Sequence, residues 1–149
     1  LQYSQGAAGR FFVVRVEHGE DLLQAVKDLA RRENIRQAVF WAIGALGQAR
    51  LVVGPGEAVL PPEPVWREVN EPGEILATGN IFWDEHEPII HLHASWCRGD
   101  TVLTGCVREK ATVYLMAEVF VWELAGLEAA RQFDQRLGLK ALSLPAGKS

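Results

Sequence analysis

From Gln37 to Leu124 the chain is a succession of short apolar runs, broken every few residues by glycine, proline or charge. Runs of this length, rich in β-branched and aromatic residues and bounded by turn-forming residues, favour strands over helices. "QAVFWAIGALGQARLVVG" divides into two apolar runs around Gly44 and Gly47, as strands do where they meet at a tight turn or a bulge. The Pro-rich "GPGEAVLPPEPVW" reads as irregular, with a short strand near Trp66. "GEILATGNIFWDEHEPIIHLHASWCRGDTVLTGCV" holds three strand candidates, with turns near Asp84 to Pro88 and at Gly99-Asp100, and "TVYLMAEVFVWEL" supplies a fourth.

Before this region, "RFFVVRVEHGE" reads as a strand running into a turn at His18-Gly19. "EDLLQAVKDLARREN" spaces Leu22, Leu23, Val26, Leu29 and Ala30 as a helix does, with acids at its start and Arg31 and Arg32 at its end. A short helix is expected over Leu127 to Leu137. Consecutive strands with one main helix predict an α+β domain, its sheet largely antiparallel (mixed) and of about six to eight strands. The expected division is a flexible N-terminal segment over residues 1–8, a single domain over 9–137 and a polar tail over 138–149.

At 149 residues, 48% of them hydrophobic and 23% charged, the chain can bury a core of its own. No apolar stretch approaches the roughly 20 residues that span a bilayer, and "LQYSQGAAGR" lacks the pattern of a secretory leader, so a soluble cytoplasmic protein without membrane contact is expected. A net charge of −4 disfavours unguided binding to nucleic acid. Two cysteines, Cys97 and Cys106, fit reduced thiols better than a disulfide scaffold. GxGxxG, Walker and CxxC patterns are absent, so no nucleotide cofactor is expected.

Chemistry concentrates in "PIIHLHASWC", residues 88 to 97. His86 and His91 are five residues apart rather than four, and Pro88 would break a helix carrying both, which removes a zincin reading. As a strand, the stretch places His91, His93, Ser95 and Cys97 on one face and Leu92, Ala94 and Trp96 on the other. A two-residue turn at Gly99-Asp100, with glycine taking the positive φ of a type II′ turn, pairs Arg98 with Thr101. His93 then faces Cys106, Ser95 faces Thr104 and His91 faces Arg108, while Cys97 falls about 13 Å along the strand from Cys106. His91, His93 and Cys106 would offer two nitrogens and a thiolate, a set that suits Zn²⁺ with an open fourth position. The competing reading is a half-polar sheet face with hydrogen-bonded histidines and a cysteine packed as a small hydrophobe.

Glu118 lies within the unbroken apolar run "VYLMAEVFVW". A carboxylate there needs a partner or a raised pKa. It is the candidate catalytic group, as a general base, as an orienter of a histidine or as a ligand. Alternatively it pairs with Arg108 or Arg15 at a subunit interface, or faces solvent. Trp41, Trp66, Trp83, Trp96 and Trp122 all fall in or beside strand candidates and divide between core and interface roles.

The order of "GRFFVVRVEHGEDLLQAV", "AVFWAIGALGQARLVV", "GEILATGNI", "HLHASW", "GCV" and "AEVFVWEL" resembles the PPC domain, the plant and prokaryote conserved domain, from about Gly9 to Leu124. The resemblance implies a compact domain on a largely antiparallel sheet that assembles as a homotrimer. In plant relatives the domain follows AT-hook motifs and mediates protein association; prokaryotic relatives are commonly the bare domain. The Arg-Gly-Arg-Pro core of an AT-hook is absent here. Bacterial and archaeal members usually carry Gly-His-Leu after the HLH strand, where this chain has Gly105-Cys106-Val107. Glu118 matches the family's acidic position, and Gly44 with Leu46 matches its Gly-Ala-Leu turn.

Three functions therefore compete. The first is a homotrimeric interaction or small-ligand module, with a divalent metal on His91, His93 and Cys106 and a protein or small molecule as partner. The second is a zinc-dependent hydrolase or lyase using the same site. The third is a DNA-associated regulator, which neither the charge nor an AT-hook supports.

Overall fold

The computed structural model describes residues 1–145. In chain order it contains β1 (Ala7–Glu17), α1 (Leu22–Arg32), β2 (Gln37–Pro55), β3 (Pro64–Val69), β4 (Gly73–Trp83), β5 (Pro88–Arg98), β6 (Thr101–Ala125), β7 (Ala130–Asp134) and β8 (Leu139–Ser143). The first six strands form one sheet in the order β1-β6-β5-β4-β2-β3, and an additional β6–β2 pairing closes β2, β4, β5 and β6 into a ring. Every strand pairing is antiparallel. The expected α+β class and largely antiparallel sheet of about six to eight strands are thus present, with some neighbouring strand candidates fused into longer strands.

The two long strands explain that difference. The paired runs expected on either side of Gly44 and Gly47 are one strand, β2, whose pairing with β6 shifts register between Gly44 and Ala45 and again up to Leu51. The third and fourth candidates after Gly73 likewise fuse into β6, which bends where Lys110 and Leu115 take positive φ. Such irregularities sharpen strand twist and let a strand leave one partner for another. Gly44, at φ +134°, is required here, because a Cβ on it would meet the Met116 carbonyl oxygen and lie 2.7 Å from Ala117 Cα.

Helix α1 begins at Asp21, whose carboxylate accepts from Gln24 N at 2.9 Å and from Ala111 N at 3.0 Å. The acid expected in the first turn is therefore the cap. Leu22, Val26 and Ala30 are buried in one core with Phe40, Ile81, Leu92, Val113 and Val119. Burying one apolar face against the helix leaves the other face of each strand outward.

Three expectations need correction. Leu127 to Leu137 is not a helix, because β7 pairs with β8 as a hairpin. Asp134 Oδ1 accepts from Arg136 N and Leu137 N, and Gly138, at φ +67°, donates to the Asp134 carbonyl, so turn chemistry overrides the helical spacing. The segment 138–149 is not simply a tail, since Leu139–Ser143 is β8; residues 146–149 lie outside the described residues. The N-terminal segment 1–8 already enters β1 at Ala7.

Gly44→Ala forces an alanine into left-handed φ and into the backbone of β6. Urea unfolding monitored by tryptophan fluorescence should show a loss of about 2–4 kcal/mol.

Candidate metal centre

The centre begins with the β5–β6 hairpin. Gly99 takes φ +57° in the turn, Arg98 pairs with Thr101, and the register carries His93 opposite Cys106 and Ser95 opposite Thr104. Cys97 is opposite Val102, and both cysteines are free thiols. Side chains alternate along β5: Leu92, Ala94 and Trp96 are buried, while His91, Ser95 and Cys97 are half-buried and His93 is exposed on the opposite face.

The two imidazoles meet edge to face, with Nε2 of His91 3.2 Å from Nε2 of His93. Ligand atoms of His91, His93 and Cys106 all lie within 4.8 Å of one another. Tetrahedral Zn²⁺ with Zn–N near 2.05 Å requires two nitrogens about 3.3 Å apart, so the histidine pair is already at ligating separation. The buried Cys106 Sγ completes three donors of the type zinc prefers.

Arg131 of β7 stands behind the pair and is buried, 9% exposed. Its Nη2 donates to Asn80 Oδ1 at 2.7 Å and lies 3.4 Å from His91 Nδ1. Asn80 is the β4 residue opposite His91, so β4, β5 and β7 converge on one imidazole. Burial, reinforced by electrostatic repulsion from Arg131, His93 and Arg108, holds the His91 imidazole down to about 4. It is therefore neutral at pH 7, the form that donates a lone pair. Burial pushes the Cys106 thiol up, against the opposing pull of the adjacent Arg108 guanidinium and of Arg131. Burial and the charge of Arg108 lower Arg131.

A cavity of about 570 Å³ opens beside these residues. His91, His93, Thr104 and Cys106 form one wall, and Val52, Trp66, Pro61, Leu137 and Leu139 form much of the rest. The β3 region and the β7–β8 turn thus roof a site that the β5–β6 hairpin floors.

Glu118 is not brought to this cavity. It pairs with Arg15 of β1 and Ile43 of β2, and lines a separate depression with Gly44, Glu74 and Met116. Arg15 makes its ion pair with Glu17 instead, at 3.1 Å. Arg131 and Asn80 escaped sequence reasoning: Arg131 fell in a segment read as helix, and Asn80 has no signal until β4 and β5 are paired.

Fold and site together define a small antiparallel α+β domain with a His/His/Cys cluster on an outer sheet face. The chain belongs to the Plants and Prokaryotes Conserved (PCC) domain family, whose model matches residues 3–125. Among solved structures it is similar to the metal-containing protein of Archaeoglobus fulgidus, at 27% identity and TM-score 0.84 over 95% of this chain and 98% of that one. It is also similar in fold to a plant- and prokaryote-conserved protein of Pyrococcus horikoshii, at 24% identity and TM-score 0.83 over 98% and 100%. No curated protein matches the chain.

In metal-free protein, NMR titration should place the His91 midpoint near 4 rather than 6.5. The unfolded chain then binds more protons than the folded one between these values, so the His91 contribution to stability is complete above about 6.5 and is lost as pH falls toward 4. Arg131→Gln should raise the midpoint only in part, because burial is the larger cause.

Proposed function

We propose that the protein is a homotrimeric metal-binding module, holding a divalent cation of the zinc type on His91, His93 and Cys106 and receiving a small ligand in the adjoining cavity. The observation that carries this reading is the 3.2 Å separation of the two Nε2 atoms, with Cys106 opposite His93 and a cavity beside them. The metal-containing protein of Archaeoglobus fulgidus, 27% identical, supports it. Ligation would require a deprotonated Cys106, and His91 would carry its proton on Nδ1. The 3.4 Å contact to Arg131 is weak enough to give way, because Arg131 keeps its 2.7 Å bond to Asn80.

Assembly would use the sheet face turned away from α1. Cross-strand neighbours project to the same face, and one row runs Val13, Phe120, Trp41, Thr78, His93, Cys106 across five strand pairings. The adjacent row carries Ile43 and Leu76 on either side of a β2–β4 pair, and Leu76 is 70% exposed. Exposed apolar surface of this extent, which includes Phe11, Val13 and Trp122, is characteristic of an interface.

A zinc-dependent hydrolase is the second reading, favoured by an open coordination position beside a cavity. It would need a proton-moving group there, and Glu118 lines a different depression. A duplex-binding role would need a basic surface, whereas the net charge is −4. No helix among the described residues is long and apolar enough to cross a membrane.

Elemental analysis of purified protein should find about one zinc per chain, and His93→Ala should lose most of it with an unchanged circular dichroism spectrum. Metal-free wild-type protein that takes up no added zinc would remove this reading. Light scattering after size exclusion should give three times the 16.5 kDa chain mass. A stable monomer would count against the trimer, and Leu76→Asp should shift the assembly toward monomer.

A further inference from the structure

The cavity is unusual in its charge. Among its described lining residues, Arg108 is the one with a permanently charged side chain, and no carboxylate faces it. Arg108 makes no ion pair among the described residues, unlike Arg50, which sits between Glu68 and Glu109. Arg131, behind His91, is buried without a carboxylate partner, and its Nε has no hydrogen-bond partner. Two guanidiniums, Arg131 buried and Arg108 exposed, therefore flank the cluster, and among the described cavity-lining residues the Cys106 thiol is the one group whose ionisation could oppose their charge. For the buried Arg131 the missing counter-charge is costly, and the cost falls when an anion arrives nearby; the exposed Arg108 lines the cavity and is the guanidinium a ligand can reach.

We propose that the cavity takes a small monocarboxylate with an apolar body, its carboxylate held by Arg108 beside the His/His/Cys cluster and its body against Val52, Trp66 and Leu137. The proposal rests on the metal-binding reading only for the neighbouring cation. A divalent ion on two neutral imidazoles and one thiolate would leave the centre positive, and the two arginines add to that charge. An anion in the fourth position offsets both. The planar fork of a guanidinium matches a carboxylate through two parallel hydrogen bonds. A phosphate fits less well, because its greater charge calls for more donors than the apolar wall provides.

Phenylacetate, its neutral isostere phenylacetamide and inorganic phosphate provide the test, by calorimetry on wild-type and Arg108→Gln protein with zinc content measured in parallel. Wild type should bind phenylacetate about tenfold or more tightly than phenylacetamide, and Arg108→Gln should abolish that preference in zinc-loaded and zinc-free protein alike. Equal affinity for the two ligands, an unchanged preference in Arg108→Gln, or displacement of phenylacetate by an equal concentration of phosphate would each overturn the proposal. A preference that persists in zinc-free wild type and depends on Arg108 would uphold it even if the metal reading fails. Zinc-loaded protein without the preference would do the reverse.

Discussion

Gly99, at φ +57°, lets Arg98 pair with Thr101, and the pairing of β5 with β6 follows from that turn residue by residue. Because side chains alternate along a strand, a slip of one position would send Cys106 to the opposite face from His93. The donor set therefore depends on a backbone conformation several residues away from it. The buried row of Leu92, Ala94 and Trp96 enforces the same register from the core side, since a slip would expose all three. Turn chemistry and core burial agree, and the agreement makes the outer face a dependable place to build a site.

The second constraint is closure of the ring. Strand β2 must pair with β4 along one edge and with both halves of β6 along the other, which a straight strand cannot do. Gly44 and the register shifts after it supply the bend, and the Lys110 and Leu115 backbones supply it on β6. Closure brings the end of β2, with Val52, over the start of β6, with Cys106. It thereby raises one side of the cavity, while the β7–β8 hairpin covers another. Lys140 of that hairpin reaches Asp84 in the β4–β5 turn at 2.6 Å, and Asp84, bonded also to the Glu87 and His86 amides, is held well below the usual carboxylate range.

Much of this was legible in the residues because it is local. Alternation placed His91 and His93 on one face, and a two-residue turn extended the argument across to Cys106. The family resemblance agreed at the same positions, and the family model covers them. What stayed hidden is nonlocal. Nothing in "QAVFWAIGALGQARLVVG" distinguishes two strands meeting at a turn from one strand with a bulge, because the choice depends on whether β6 lies alongside. The spacing of Leu127 to Leu137 suits a helix, yet the bonds of Asp134 and Gly138 make a hairpin, and with that reading Arg131 moved from a helix surface into the site. Glu118 was conspicuous in sequence for being charged in an apolar run, but the sheet that surrounds it faces outward and carries it away from the cluster.

A cysteine at position 106 in place of a third histidine changes the electrostatics of the cluster more than its geometry. A third imidazole would be neutral, and with two guanidiniums nearby a divalent cation would meet no compensating charge from the protein. A thiolate supplies one negative charge at the donor atom itself, and Arg108 and Arg131 both favour its formation against burial. The same arginines oppose the cation that the thiolate would attract. Cysteine and arginine thus act on the centre with opposite signs, and their sum decides how much negative charge is left for a ligand to bring. Even with a thiolate formed, two guanidiniums would outweigh it, and an anionic ligand would have to bring the remaining negative charge.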